Sequence, residues 1–149
     1  MIDIEDADLE LTNAELHLYS RQILLARWDI EAQEKLKLSN VLIVGCGGIG
    51  CTTAELLARA GVGQITLIDA DSIEISNLQR QIAYTASDLG FYKAEILAKR
   101  LRQINPHIRV ESYTQQLDIG NAEALISAQD LVLDGCDNFE TRYLVNQTC

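Results

Sequence analysis

Proline hardly occurs in this chain: there is one, Pro106, in 149 residues. Little else then breaks a helix or removes an amide from a central strand, so long regular elements are allowed. Aromatic residues are scarce too, 5% against an apolar fraction of 48%. The core must therefore be aliphatic, which is the composition of an α/β protein. Bases are outnumbered, 12 Lys and Arg against 22 Asp and Glu, for a net charge of −10. The first 15 residues hold six acids and no base. A nucleic-acid backbone would be repelled by that balance, although a local basic pocket could still hold a small anion.

Also missing is any run of the roughly 18 apolar residues that a membrane span needs. The acidic N-terminus is not of signal-peptide type, so a cytoplasmic location without membrane contact is expected. The four cysteines, Cys46, Cys51, Cys136 and Cys149, form no CxxC pair. That disfavours zinc within the chain and favours buried small side chains. The length suits one domain and is short for a complete two-substrate enzyme.

Residues 1–12 read as an acidic disordered lead, and 13–149 as the domain. Thr12 and Glu15 form a T-x-x-E capping box, and Leu16, Tyr19, Ile23 and Leu24 follow at helical spacing. A helix over about 13–27 is predicted, with a second, capped by Asp29, running through Leu36. The period then changes. Short apolar runs at 41–44, 65–68 and 131–133, with a weaker one at 110–113, predict parallel strands covered on both faces. Helical segments at 49–60, 93–104 and 121–127 alternate with them. The expected fold is a Rossmann-like, doubly wound, mostly parallel α/β sheet in spatial order 3-2-1-4, with N-terminal helices. A last helix begins at 138–149, where such sheets normally continue, so an incomplete domain ending after strand 4 is expected.

Gly45-Cys46-Gly47-Gly48-Ile49-Gly50 lies where the first strand gives way to a helix. Glycine permits the tight turn and close backbone approach, and a helix N-terminus offers amides to phosphate. Gly45, Gly47, Gly48 and Gly50 are therefore nucleotide-binding candidates. Asp69, at the end of the second strand, is placed to accept hydrogen bonds from a ribose, and Asp71 two residues on joins it. Three further features favour ATP over a dinucleotide. One is Ser76-Asn77-Leu78-Gln79-Arg80-Gln81, an arginine among amides, suited to a triphosphate. Another is Lys93, a cation at a helix start, which opposes the helix dipole unless an anion shares the space. The third is Asp137, after the fourth strand, which could cap the next helix or hold Mg²⁺.

In order along the chain, YSRQILL (starting at Tyr19), VLIVGCGGIG, LIDAD, SNLQRQ, INPHI and LVLDGCDN resemble the ThiF/MoeB/HesA family, relatives of ubiquitin-activating enzymes. The likeness is greatest to the molybdopterin-synthase adenylyltransferase branch. The resemblance implies ATP-dependent adenylation of the C-terminal glycine carboxylate of a ubiquitin-fold sulfur carrier ending in Gly-Gly, for molybdopterin or thiamin biosynthesis. It assigns the ribose to Asp69 and the phosphates to Asn77, Arg80 and Lys93, with Asp137 as the essential magnesium ligand. Arg21 would reach the ATP of a neighbouring subunit, so a homodimer is implied. Zinc-holding CxxC pairs belong to a later part of full-length relatives, beyond Cys149. Two departures stand out: Phe91-Tyr92 replaces a usual Gln-Pro before Lys93, and Cys136 replaces a common threonine.

Other readings stay open. A nicotinamide-dependent oxidoreductase accounts for the glycine loop and Asp69 but leaves Arg80, Lys93 and Asp137 idle. A noncatalytic binding module would need only a partner. A relative that adenylates a modified tRNA base is disfavoured by NLQRQ and by the acidic charge.

Overall fold

The computed structural model describes residues 10–149. Most of the acidic lead expected at 1–12 thus lies outside the described residues. Helices α1 (Asn13–Leu18), α2 (Ser20–Ile23) and α3 (Ile30–Leu38) precede strand β1 (Asn40–Val44), helix α4 (Gly48–Ala60) and strand β2 (Gln64–Ile68). A crossover segment with 3-10 turns at Ile75–Asn77 and Ala86–Asp88 leads to α5 (Lys93–Ile104) and β3 (Arg109–Tyr113). Helix α6 (Ala122–Ile126), strand β4 (Leu131–Asp134) and helix α7 (Phe139–Thr148) follow.

The strands form one four-stranded sheet in the order β3-β2-β1-β4, parallel at each pairing. This is the spatial order expected from the alternation of strand and helix. Alternate residues of β1 and β2 face opposite layers, as a pleated strand requires. Val41, Ile43, Ile65 and Leu67 pack with Ala54 and Ala58 of α4 and Leu97 and Leu101 of α5. Leu42, Val44 and Ile68 pack on the other side with Ala122, Ile126 and Val145. Each buried Val, Leu or Ile among them stabilises the fold by roughly 2 kcal/mol. Both layers leave the carboxyl ends of the strands open, where the loops of the site gather.

Two expectations need correction. The helix over 13–27 is broken at Tyr19, whose φ and ψ of −94° and 9° leave the helical region. Tertiary contacts outweigh the local spacing there. The Tyr19 ring is buried, and its hydroxyl accepts from Asn105 Nδ2 at 2.7 Å. A Cβ on Gly61 would come within 2.6 Å of the ring. As a result Leu24, expected on the helix's inner face, is 79% exposed. The second correction concerns β4, which is not covered on both faces: Leu131 is half-exposed, and no residue of the strand is fully buried. β4 bonds to β1 alone, so it lies at the sheet's edge and its apolar run is longer than its cover.

The N-terminal capping box forms, with Thr12 N–H donating to Glu15 Oε2 at 2.8 Å and Glu15 N–H to Thr12 Oγ1 at 3.2 Å. Asp29 caps α3 by accepting from the Ala32 N–H at 2.9 Å. A buried amide network then docks these helices. Gln33, fully buried, donates to the Ala60 carbonyl at 2.8 Å and accepts from Gln22 and Trp28.

Candidate nucleotide-binding site

The glycine loop joins β1 to α4 and is shaped by close backbone approach. Gly45 has φ 91°, and a Cβ there would meet the Gly135 carbonyl at 3.0 Å. At Gly50 a Cβ would overlap the Gly45 carbonyl. Any side chain at either position would prise the loop from β4 or from its own helix. Gly47 is the N-cap of the 13-residue α4 and brings no side-chain hydrogen bond. The first amides of the helix stay available to an anion at its positive end.

Asp69 braces this loop. Its Oδ2 accepts from the Cys46 N–H and its Oδ1 from the Asp71 N–H, both at 2.7 Å. Lys93 opens α5 with its side chain 8% exposed, and Nζ pairs with Asp71 Oδ2 at 3.0 Å. The anion that a lysine at a helix start calls for is thus supplied in part by Asp71. Phe91-Tyr92 in place of Gln-Pro does not move this lysine from the site. Its own amide is pinned to the Asp71 carbonyl at 3.0 Å, and Tyr92 serves as the N-cap.

The crossover segment supplies the rest of one wall. Asn77 is buried, and its Oδ1 accepts from the Glu74 N–H at 2.9 Å. Arg80 is exposed and donates to the Ser76 carbonyl at 3.0 Å. Opposite, after β4, stands Asp137. It does not cap α7: Asn138 does, its Oδ1 accepting from the Thr141 N–H at 2.8 Å. Asp137 is left exposed and without a hydrogen bond or ion pair among the described residues.

These elements enclose one cleft of about 1550 Å³, into which Gly45, Gly47, Gly48, Asp69, Asp71, Asn77, Arg80, Lys93 and Asp137 all open. Three candidates do not line it. Gly50 is buried beneath the loop, Gln79 turns its amide back to the Ser76 carbonyl at 3.5 Å, and Arg21 lies exposed on α2. The cleft also holds Gln81, the last residue of the Ser76–Gln81 stretch, and residues not singled out by the sequence, chiefly Arg142 and the loop 115–120. Arg142 donates to the Cys136 carbonyl at 3.0 Å and lies 3.6 Å from Asp134. A base in the first turn of α7 opposes the helix dipole as Lys93 does, and the same reasoning could have found it. The loop 115–120 has no such signal in its residue types.

Of the ionisable residues lining the cleft, five are acids (Asp69, Asp71, Asp118, Asp137, Glu140) and three are bases (Arg80, Lys93, Arg142). A polyphosphate would need a further cation here. Burial, and then the Asp69 carboxylate, push the Cys46 thiol well up, so it stays protonated and inert. Cys46 and Cys51 are the buried small side chains expected, whereas Cys136 is half-buried and Cys149 exposed.

The ThiF family model matches residues 19–149. The chain belongs to the ThiF family. Over 135 residues it is 45% identical to the sulfur carrier protein adenylyltransferase of Thermus thermophilus, covering 91% of this chain and 50% of that protein. It is 45% identical over 140 residues to the molybdopterin-synthase adenylyltransferase of Escherichia coli, covering 94% and 56%. Among solved structures it resembles the E. coli tRNA N6-threonylcarbamoyladenosine dehydratase in complex with ATP. There the TM-score is 0.84 at 31% identity, over 90% of this chain and 55% of that one. The chain thus spans about half the length of these ThiF relatives. The Rossmann-like fold is shared with that solved structure.

Proposed function

We propose that this chain forms the nucleotide half of an enzyme that uses ATP to adenylate the C-terminal glycine carboxylate of a ubiquitin-fold sulfur carrier. The observation that carries the reading is the convergence on one cleft of the glycine loop, Arg80, Lys93 and Asp137, which is unpartnered among the described residues. The names of the curated relatives support the carrier as substrate. In the reaction the carboxylate oxygen attacks the α-phosphorus and pyrophosphate leaves. Negative charge builds on phosphate oxygens, so amides, Arg80 and Lys93 fixed in advance stabilise the transition state. Asp137 fits a magnesium ligand: Mg²⁺ is held by one or two carboxylates plus substrate phosphates rather than by an all-protein cage. The ion would offset the excess of acids and stabilise the departing pyrophosphate.

Arg21 fits a role in a neighbouring subunit's site, because it is exposed on α2 near the exposed Leu18, Leu24 and Leu25. A homodimer through that surface is part of the proposal, as are a cytoplasmic location, the ribose role of Asp69 and the phosphate role of Asn77. Molybdopterin-type chemistry has the relatives' names in its favour; the thiamin pathway rests on the sequence resemblance. A second reading, action on a tRNA base, is favoured by the likeness to the tRNA dehydratase. Against it stand the higher identity to the carrier-protein enzymes and the net charge of −10.

Titration with Mg-ATP and with NADH, followed by thermal unfolding, tests the nucleotide assignment. Protection by Mg-ATP is expected; protection by NADH alone would favour the oxidoreductase. Pyrophosphate exchange into ATP, with a carrier ending in Gly-Gly and with tRNA, tests the substrate. Exchange from this 149-residue chain alone is expected to be feeble.

A further inference from the structure

The glycine loop is held at both peptides that flank Cys46. On the upstream side, the Cys46 N–H donates to Asp69 Oδ2 at 2.7 Å. On the downstream side, the Tyr84 hydroxyl donates to the Cys46 carbonyl at 2.7 Å and comes within 3.4 Å of the Lys93 carbonyl. Tyr84 is buried and lies on the same crossover segment as Asn77 and Arg80. It does not line the cleft. One hydroxyl therefore links three elements of the site: the glycine loop, the crossover and the start of α5.

A trans peptide is planar, so its N–H points opposite to its carbonyl. Drawing the Cys46 carbonyl inward toward Tyr84 turns the Gly47 N–H outward. That amide has no hydrogen-bond acceptor among the described residues, and Gly47 lines the cleft. Because the residue after the bond is glycine, a flip of this peptide meets little steric resistance. Something must therefore select the outward orientation. Burial pushes the Tyr84 phenol far above its ordinary range, so the donor proton is retained.

We propose that Tyr84 is a positioning residue for the nucleotide's phosphates, its hydroxyl holding the Gly47 amide toward the cleft. The inference rests on the nucleotide reading above, and its test separates the two.

The chain is compared with a Tyr84→Phe variant and with one carrying p-aminophenylalanine at position 84, which restores a donor on the ring. Without nucleotide, Tyr84→Phe should shift the Cys46 carbonyl-carbon and Gly47 amide-nitrogen resonances, which report the hydrogen bond on that peptide, and leave the β3 resonances unchanged. Mg-ATP affinity should fall about tenfold, adenosine affinity should stay within twofold, and the amino variant should recover most of the loss. Equal ATP affinity in Tyr84→Phe, or parallel loss of ATP and adenosine, overturns the positioning role. Unchanged resonances at the Cys46–Gly47 peptide overturn the clamp itself. If the unaltered chain binds adenosine but no better with phosphates attached, the nucleotide reading falls, and the resonance measurement still judges the clamp.

Discussion

Lys93→Met separates a phosphate-binding lysine from a structural one. In the free chain its ammonium, 8% exposed, pairs with an Asp71 that is 71% exposed. Solvent screens such a half-exposed pair, which limits its contribution to about 1 kcal/mol or less. Methionine keeps most of the apolar stem, so packing against the start of α5 is little disturbed. Stability should drop by at most about 1 kcal/mol. Binding is different. If the lysine meets a phosphate oxygen, the charge-assisted hydrogen bond contributes about 1.5–3 kcal/mol, a loss of about 10- to 150-fold in affinity. Calorimetric titration with Mg-ATP, AMP and adenosine, alongside urea unfolding, reads both quantities. The loss should be largest for ATP and absent for adenosine, and it should shrink as salt is raised. Mg-ATP affinity within twofold of the unaltered chain, at unchanged stability, would refute the assignment of Lys93 to the phosphates.

Two further outcomes concern the scaffold. Glu55 is held between Arg59 and Arg100 at 2.8 and 2.9 Å. The Arg59 hydrogen bonds lead in drawing its carboxyl below the usual range, and Arg100 adds to them against the cost of burial. A depressed folded-state value means stability is present above the unfolded value, about 4.3, and is lost as pH falls through the folded one. Glu55→Gln should therefore flatten the acid limb of stability against pH and lower the plateau at neutral pH; an unchanged acid limb in urea melts would contradict this. Asn105 is 1% exposed, donates to Tyr19 Oη at 2.7 Å and the Ala58 carbonyl at 2.8 Å, and accepts from the His107 N–H. Asn105→Leu strands several buried polar groups and should cost about 3 kcal/mol, read as a lower urea midpoint at constant slope; less than about 1 kcal/mol would show that water or rearrangement satisfies them.

Local chemistry settled much of this protein before any tertiary contact is considered. The aliphatic runs of β1 and β2, the box at Thr12 and Glu15, and the spans of α4 and α5 follow from residue type and period. Strand and helix in alternation then admit few topologies, which is why β3-β2-β1-β4 could be read in advance. The glycine loop was legible because its backbone geometry excludes other residues at Gly45 and Gly50.

Tertiary structure decided what depends on partners distant in sequence. Tyr19 breaks a helix because Asn105, 86 residues away, holds its hydroxyl. Lys93 meets Asp71, and Tyr84 meets the Cys46 carbonyl, across the crossover. Whether Asp137 or Asn138 caps α7 is a choice between two adjacent side chains that both could, and only the folded path of the loop makes it. The exposure of β4 likewise comes from its place at the edge of the sheet, since an apolar run records what a strand could bury and not what the fold brings to cover it.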